Sequence, residues 1–148
     1  MDKIISGLDN LITQQLHEIS KLKNQVEIQK QEKDDQLIEI ARLIIESIDA
    51  FDNSEAAIWD RNAEISDDIA KTMRRYAGVK RKLINTLGKF SIQPAEFPNN
   101  TCIDEISETI ETKPDSSKKN GEILDILLPG YVRSGIPIRR AQLVVVKN

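Results

Sequence analysis

Catalysis would have to be built from very few groups. The chain has one histidine, His17, and one cysteine, Cys102. Structural zinc sites take four Cys or His ligands and catalytic sites three protein ligands, so the sequence holds no zinc set. His17 sits in a polar stretch that reads as solvated helix, far along the chain from Cys102. The thiol therefore has no histidine to activate it, and Cys102 reads as a small buried hydrophobe. Gly130 and Gly135 are not followed by the Lys-Ser/Thr helix start of a phosphate loop. The 24 Asp and Glu residues fall mostly on expected helix surfaces, where solvated charge is the ordinary state. The remaining candidates bind rather than react. Lys80-Arg81-Lys82 and Arg74-Arg75 are either solvated helix faces or contacts for an acidic partner. Gly78, inside an expected helix, costs about 1 kcal/mol relative to alanine. It is either a tolerated surface or packing glycine beside Ala77, or a flat spot where a partner meets the backbone. The expectation is a protein that is not an enzyme and carries no metal and no cofactor.

The elements that position these groups follow from composition and periodicity. The chain has 148 residues, a net charge of -3 and only 4% aromatic side chains. An acidic balance argues against nucleic acid as a partner, because phosphate neutralisation needs a basic surface. Few aromatics argue against a thick core and favour long helices that bury a stripe. One cysteine excludes an intramolecular disulfide, which makes a reducing compartment the default. No apolar run reaches membrane-span length and MDKIISGLDN lacks the apolar core of a signal peptide, so the expected location is cytoplasmic, with no membrane partner.

Ile5, Leu8, Ile12, Ile19, Leu22 and Val26 step in a 3-4 alternation, the seam of a coiled coil. Gln15, Gln29, Lys33 and Gln36 keep the phase with polar side chains, so the seam loosens toward residue 36. Such a polar helix is accounted for by pairing with a second copy of the chain, or else it is a solvated helix that packs nowhere. Beyond Leu37 the stripe broadens through Ile40, Ala41, Ile44, Ile45, Ile48 and Phe51, which calls for more than one neighbouring helix. The spacing predicts a helix end near Trp59, a polar turn at 60–64 and a second helix capped by Ser66, with Asp67 and Asp68 in its first turn. Ile69, Met73, Tyr76, Leu83 and Leu87 line that helix, which Gly88 and Pro94 bring to an end.

The last third turns to β structure. Asp104–Thr112 alternates weakly and predicts a strand. Asn120-Gly121 is the strongest reversal signal in the loop 113–121. Ile123–Leu128 and Ile136–Val146, split by Pro129-Gly130 and Ser134-Gly135, read as two strands of an antiparallel pair. In the second run each face mixes apolar residues with one arginine, so the strand is expected to cover a core and still present a polar surface. The fold class is therefore α+β: a long N-terminal coiled-coil helix and a helical hairpin, forming a four-helix bundle in a dimer, followed by a small all-β domain.

Gly130-Tyr131, Gly135 and Ile138-Arg139-x-Ala141-x-Leu143-x-Val145 together resemble the C-terminal signature of the GrpE family, the nucleotide exchange factors of DnaK-type heat-shock chaperones. The resemblance extends upstream. IIESIDAF (44–51) is similar to the family's apolar stretch ending the long helix. Gly78-Val79 matches a Gly-aliphatic pair in its second helix. LGKFSIQP (87–94) resembles its Lys-Phe-Gly-Val-Glu-Pro, with Ser91 in place of the glycine. Departures also occur. Leu143 stands where valine is usual, Ile136 where many members have arginine, and Cys102 and Asp104 where the family has histidine and alanine. The resemblance implies a divergent member with a stalk (1–41), a hairpin that builds the dimer bundle (42–90) and a β domain that contacts the chaperone (91–148). It implies a homodimer held by Ile5, Leu8, Ile12, Ile19, Leu22, Val26, Ile40, Ile44, Ile48, Met73, Leu83 and Leu87. It implies chaperone contacts among Leu127, Tyr131, Ile136, Arg139 and Leu143, with Gly78 at a second contact. Tyr131 and Leu143 are the candidates for a structural role, and Arg139 for reaching the partner. The activity implied is ADP release from the chaperone's ATPase domain. The other class of function is a dimeric coiled-coil adaptor that keeps the architecture without exchange, which the changes at Cys102, Asp104 and Ile136 would suit.

Overall fold

A computed structural model describes residues 1–61 and 64–148. Among them the elements run α1 (Asp2–Arg61), α2 (Asp67–Gly88), β1 (Ile92–Pro94), β2 (Ser107–Lys113), β3 (Ile123–Leu128), β4 (Tyr131–Arg133), β5 (Ile136–Arg139) and β6 (Ala141–Val146), with a 3-10 turn at Pro98–Asn100. The class is α+β, as expected. The chain divides into two compact units, Met1–Glu39 and Ile40–Asn148.

The first unit is helix alone. No proline interrupts it, and its side chains are exposed from Met1 to Gln36. The apolar seam residues Ile5, Leu8, Ile12, Ile19, Leu22 and Val26 are all among the exposed large hydrophobics.

In the second unit Ser66 caps α2 as expected, its hydroxyl accepting the Ile69 amide at 3.4 Å, with Asp67 and Asp68 in the first turn. The carboxylates face the unpaired amides at the positive end of the helix dipole. Of the predicted turn at 60–64, residue 60 and Arg61 belong to α1, and residues 62 and 63 lie outside the described residues. After Gly88 the amides of Lys89, Phe90 and Ser91 bond back to carbonyls of the last turn. The chain then leaves through Ser91 at φ 61, the left-handed region that favours glycine. The first core cluster joins helix to sheet: Ala41, Ile45, Ile48 and Leu87 pack with Ile92 and Tyr131, flanked by Ile44, Leu83, Ile84 and Ile138. A second cluster holds Ile123, Ala141, Leu143 and Val145, with Phe97 and Cys102 against it.

Among the described residues six strands form two three-stranded sheets, in the orders β1-β4-β5 and β2-β6-β3. The expected antiparallel pairing of Ile123–Leu128 with the C-terminal run is present as β3 on β6. The expected strand at 104–112 is β2, displaced to Ser107–Lys113 and paired parallel with β6. Two expectations need correction. Ile136–Val146 is not one strand, because it breaks at Arg140 and passes from one sheet to the other. Arg140 uses its guanidinium there, donating to the carbonyls of Asp104 and Ser107. Nor does β6 present a polar face, since it is the middle strand and Ala141, Leu143, Val144, Val145 and Val146 are all buried. A central strand is covered on both faces, so its sequence becomes a continuous apolar run.

Two glycines of the C-terminal motif have specific geometric reasons. A Cβ on Gly130 would lie 2.6 Å from the Ala141 backbone nitrogen, so only glycine allows the two chain segments to approach. Ser134 (φ 51) and Gly135 (φ 80) form the two-residue turn between β4 and β5. Positive φ at both positions matches the twist of an antiparallel hairpin.

Candidate functional site

The residues singled out in the sequence fall into three groups. The first is exposed. Ile136 is 71% exposed at the start of β5 and Leu127 is 50% exposed in β3, with Ile126 beside it. Apart from the backbone of α2 itself, nothing among the described residues lies within 4 Å of the position a Cβ would take on Gly78, so the surface of α2 is open there. The second group is core. Tyr131 and Leu143 are buried, Tyr131 in the cluster under the helices and Leu143 between β2 and β3.

The third group is Arg139 alone, which is turned inward. Its guanidinium donates through both terminal nitrogens to the Asp49 carboxylate of α1, one of these bonds being 2.9 Å. Nε and Nη2 also donate to the Pro129 carbonyl at 3.0 and 2.7 Å. The guanidinium carbon lies 5.5 Å from the centre of the Tyr131 ring. A planar fork engaged on a carboxylate, a carbonyl and an aromatic face has nearly all of its donors committed. The arginine expected to reach a partner is thus a strut inside the unit. Sequence inspection could not find this, because its carboxylate partner lies 90 positions away.

Asp52, one turn after Asp49 on α1, pairs with Lys80 of α2. Carboxylates three residues apart share a helix face. This turn of α1 therefore holds the sheet through Asp49 and the second helix through Asp52. Lys80 belongs to that junction and is not a free member of the Lys80-Arg81-Lys82 cluster. Tyr131 lies in the field of the junction. Burial pushes its hydroxyl pKa above the ordinary value, Arg139 opposes this, and Asp49 and Asp52 add to it. Among the described residues no buried side-chain polar atom lacks a partner. Among them, too, no group of three or more His, Cys, Asp or Glu side chains is placed to hold a metal ion, and no helix is long and apolar enough to cross a membrane. Cys102 is a half-buried free thiol beside the second core.

The residues expected at a dimer interface also separate. Ile5, Leu8, Ile12, Ile19, Leu22, Val26 and Ile40 are exposed, and Ile44 and Leu83 are partly covered. Ile48, Met73 and Leu87 are buried within the single chain.

A long amphipathic helix, a capped second helix, and a small two-sheet unit carrying the Gly130-Tyr131 and Ile138-Arg139-x-Ala141 motifs make up the α+β architecture of the described residues. The GrpE family model matches residues 1–147, and the chain belongs to that family. The family consists of nucleotide exchange factors for DnaK-type chaperones. A search of curated proteins finds no match to this chain.

Proposed function

We propose that the protein acts as a homodimer that binds the ATPase domain of a DnaK-type chaperone and promotes ADP release. The observation that carries this reading is the family match over residues 1–147, which includes the stalk, the hairpin and the β unit together.

The exposed seam supports a parallel pair. With Ile5 as the first core position of a heptad, Ile5, Ile12, Ile19 and Val26 occupy one core site and Leu8 and Leu22 the other. β-Branched residues at the first and leucine at the second favour two parallel strands. In that register Glu18 of one chain faces Lys23 of its partner, and Leu11 faces Leu16. Ile40 extends the seam toward the hairpin. The partly covered Ile44 and Leu83 complete the bundle contacts, and Ile48, Met73 and Leu87 support them from beneath. On this reading residues 1–41 are the stalk, 42–90 the hairpin and 91–148 the chaperone-contacting unit.

Exchange needs no bond chemistry. The factor binds the open, nucleotide-free ATPase domain better than the closed, ADP-bound form, and by linkage it weakens ADP binding by the factor with which ADP weakens its own. A differential of about 4 kcal/mol shifts that equilibrium nearly a thousandfold. Leu127 and Ile136 make the lobe contact, and Gly78 offers a second one where the helix backbone is open. Tyr131, Leu143 and Arg139 hold this surface from below. The protein works in the cytoplasm, in the stress response.

The test is stopped-flow release of a fluorescent ADP analogue from the cognate chaperone. Acceleration by stoichiometric dimer is the expected result. Binding without acceleration favours the adaptor reading, which Ile136 suits by placing an exposed aliphatic side chain where many members carry arginine.

A further inference from the structure

Arg139 and its contacts lie close along the chain to the two exposed residues that the exchange reading assigns to the chaperone. Its Pro129 bonds fix the connection that follows β3, two residues beyond Leu127. Its own backbone lies in β5, three residues beyond Ile136. Its fork ends on Asp49 of α1. Whatever moves the Arg139 guanidinium relative to α1 therefore moves the β1-β4-β5 sheet that carries Ile136, and with it the Pro129 connection through which that sheet is joined to β3. The side chains of Asp49 and Arg139 are only 19% and 22% exposed, so solvent screens the pair less than a surface ion pair. Bidentate geometry also resists rotation in a way that a point-charge contact does not.

We propose that Asp49 and Arg139 are a positioning pair for nucleotide release: they fix the β4–β5 sheet at one angle to α1, so that force on the chaperone lobe is not lost to rocking of the sheet. The proposal rests on the exchange reading and assigns to Asp49 a role that surface contact would not reveal. Neither residue touches the chaperone. Loosening the pair leaves the Leu127 and Ile136 contact patch intact, so the complex still forms. Its consequence falls on the step in which the bound ATPase domain must be held open. A defect confined to that step lowers the limiting rate, whereas lost uniform binding raises the half-saturating concentration.

The experiment measures release of a fluorescent ADP analogue from the cognate DnaK-type chaperone at increasing concentrations of full-length protein. Three variants are compared with the wild type. Asp49→Asn removes the charge, Arg139→Lys keeps the charge but loses the fork, and Asp49→Glu keeps the carboxylate. Expected for Asp49→Asn and Arg139→Lys is a limiting rate lower by about tenfold, with the half-saturating concentration changed by less than about threefold. Asp49→Glu recovers most of the rate. Arg139→Lys retains the positive charge beside Asp49 and keeps the test open should Asp49→Asn prove unstable. Unchanged limiting rates in both variants, or rate and affinity falling together, overturn the positioning role while leaving exchange established by the wild type. No acceleration by the wild type overturns the exchange reading and the positioning role with it.

Discussion

Ile19 and Ile45 are the same residue type on the same helix. Ile45 is fully buried, with Leu87, Ile92 and Tyr131 in its cluster, while Ile19 is exposed among a seam of exposed neighbours. The contrast extends to the two units that contain them. Ile40–Asn148 closes two core clusters within one chain, through helix caps, a hairpin turn and the approach of Gly130 to Ala141. Met1–Glu39 has comparable apolar spacing along α1 and buries none of it. Helical propensity alone leaves a short helix marginal in water, and packing of the apolar face supplies most of its stability. The unit that closes on itself should be stable at any concentration. The other should acquire its stability from a second copy and lose it on dilution.

That comparison can be broken from either side. The largest effect is expected for Leu143→Ala in the fully buried middle strand, a loss of about 2–5 kcal/mol. Chemical denaturation followed at Tyr131 should report it, with the helical signal of residues 2–39 unaffected. Ile19→Lys should do the reverse. A lysine in the seam should raise the dimer dissociation constant by about a hundredfold, or about 2.7 kcal/mol. Circular dichroism should then show the lower-temperature helical transition moving down while the β unit melts as before. If one substitution moves both transitions equally, the two units are not energetically separate.

Smaller changes sharpen the picture of the compact unit. Ser91 occupies a left-handed backbone position where the resembled family motif has glycine. Ser91→Gly should therefore raise stability by about 0.5–1 kcal/mol, measured by urea denaturation. The smallest effect concerns Tyr131, whose hydroxyl is held above its ordinary pKa of 10.0 mainly by burial. A raised pKa in the folded state leaves stability untouched below pH 10 and removes it as pH climbs through the folded value. Tyr131→Phe should flatten that alkaline loss relative to the wild type, and between pH 6 and 8 the difference between the two should not change with pH.

Much of this architecture was legible in the sequence because its signals are local. Ser66 followed by Asp67 and Asp68 marks a helix start, Asn120-Gly121 marks a reversal that the structure places at φ +83 on Gly121, and the 3-4 spacing of apolar residues marks helix over the first 26 residues. The misread features are non-local. Alternation along Ile136–Val146 continues smoothly across Arg140, so nothing in the pattern announces the change of sheet. The parallel partner of β6 arrives from β2, some thirty residues upstream. Arg139 carries the sequence marks of a surface cation, and only the fold brings Asp49 to it. In the candidate site, Tyr131 and Leu143, the two candidates for a structural role, are buried, while the exposure of Leu127 and Ile136 could be assigned only once the strands had neighbours.

The claim that underlies the rest is that residues 1–39 are completed by a second chain, and sedimentation equilibrium of the full-length protein tests it most directly. At micromolar concentration the account predicts the mass of two chains, with dissociation on dilution accompanied by loss of helical signal. A single-chain mass that persists at tens of micromolar, with α1 still fully helical, would contradict it.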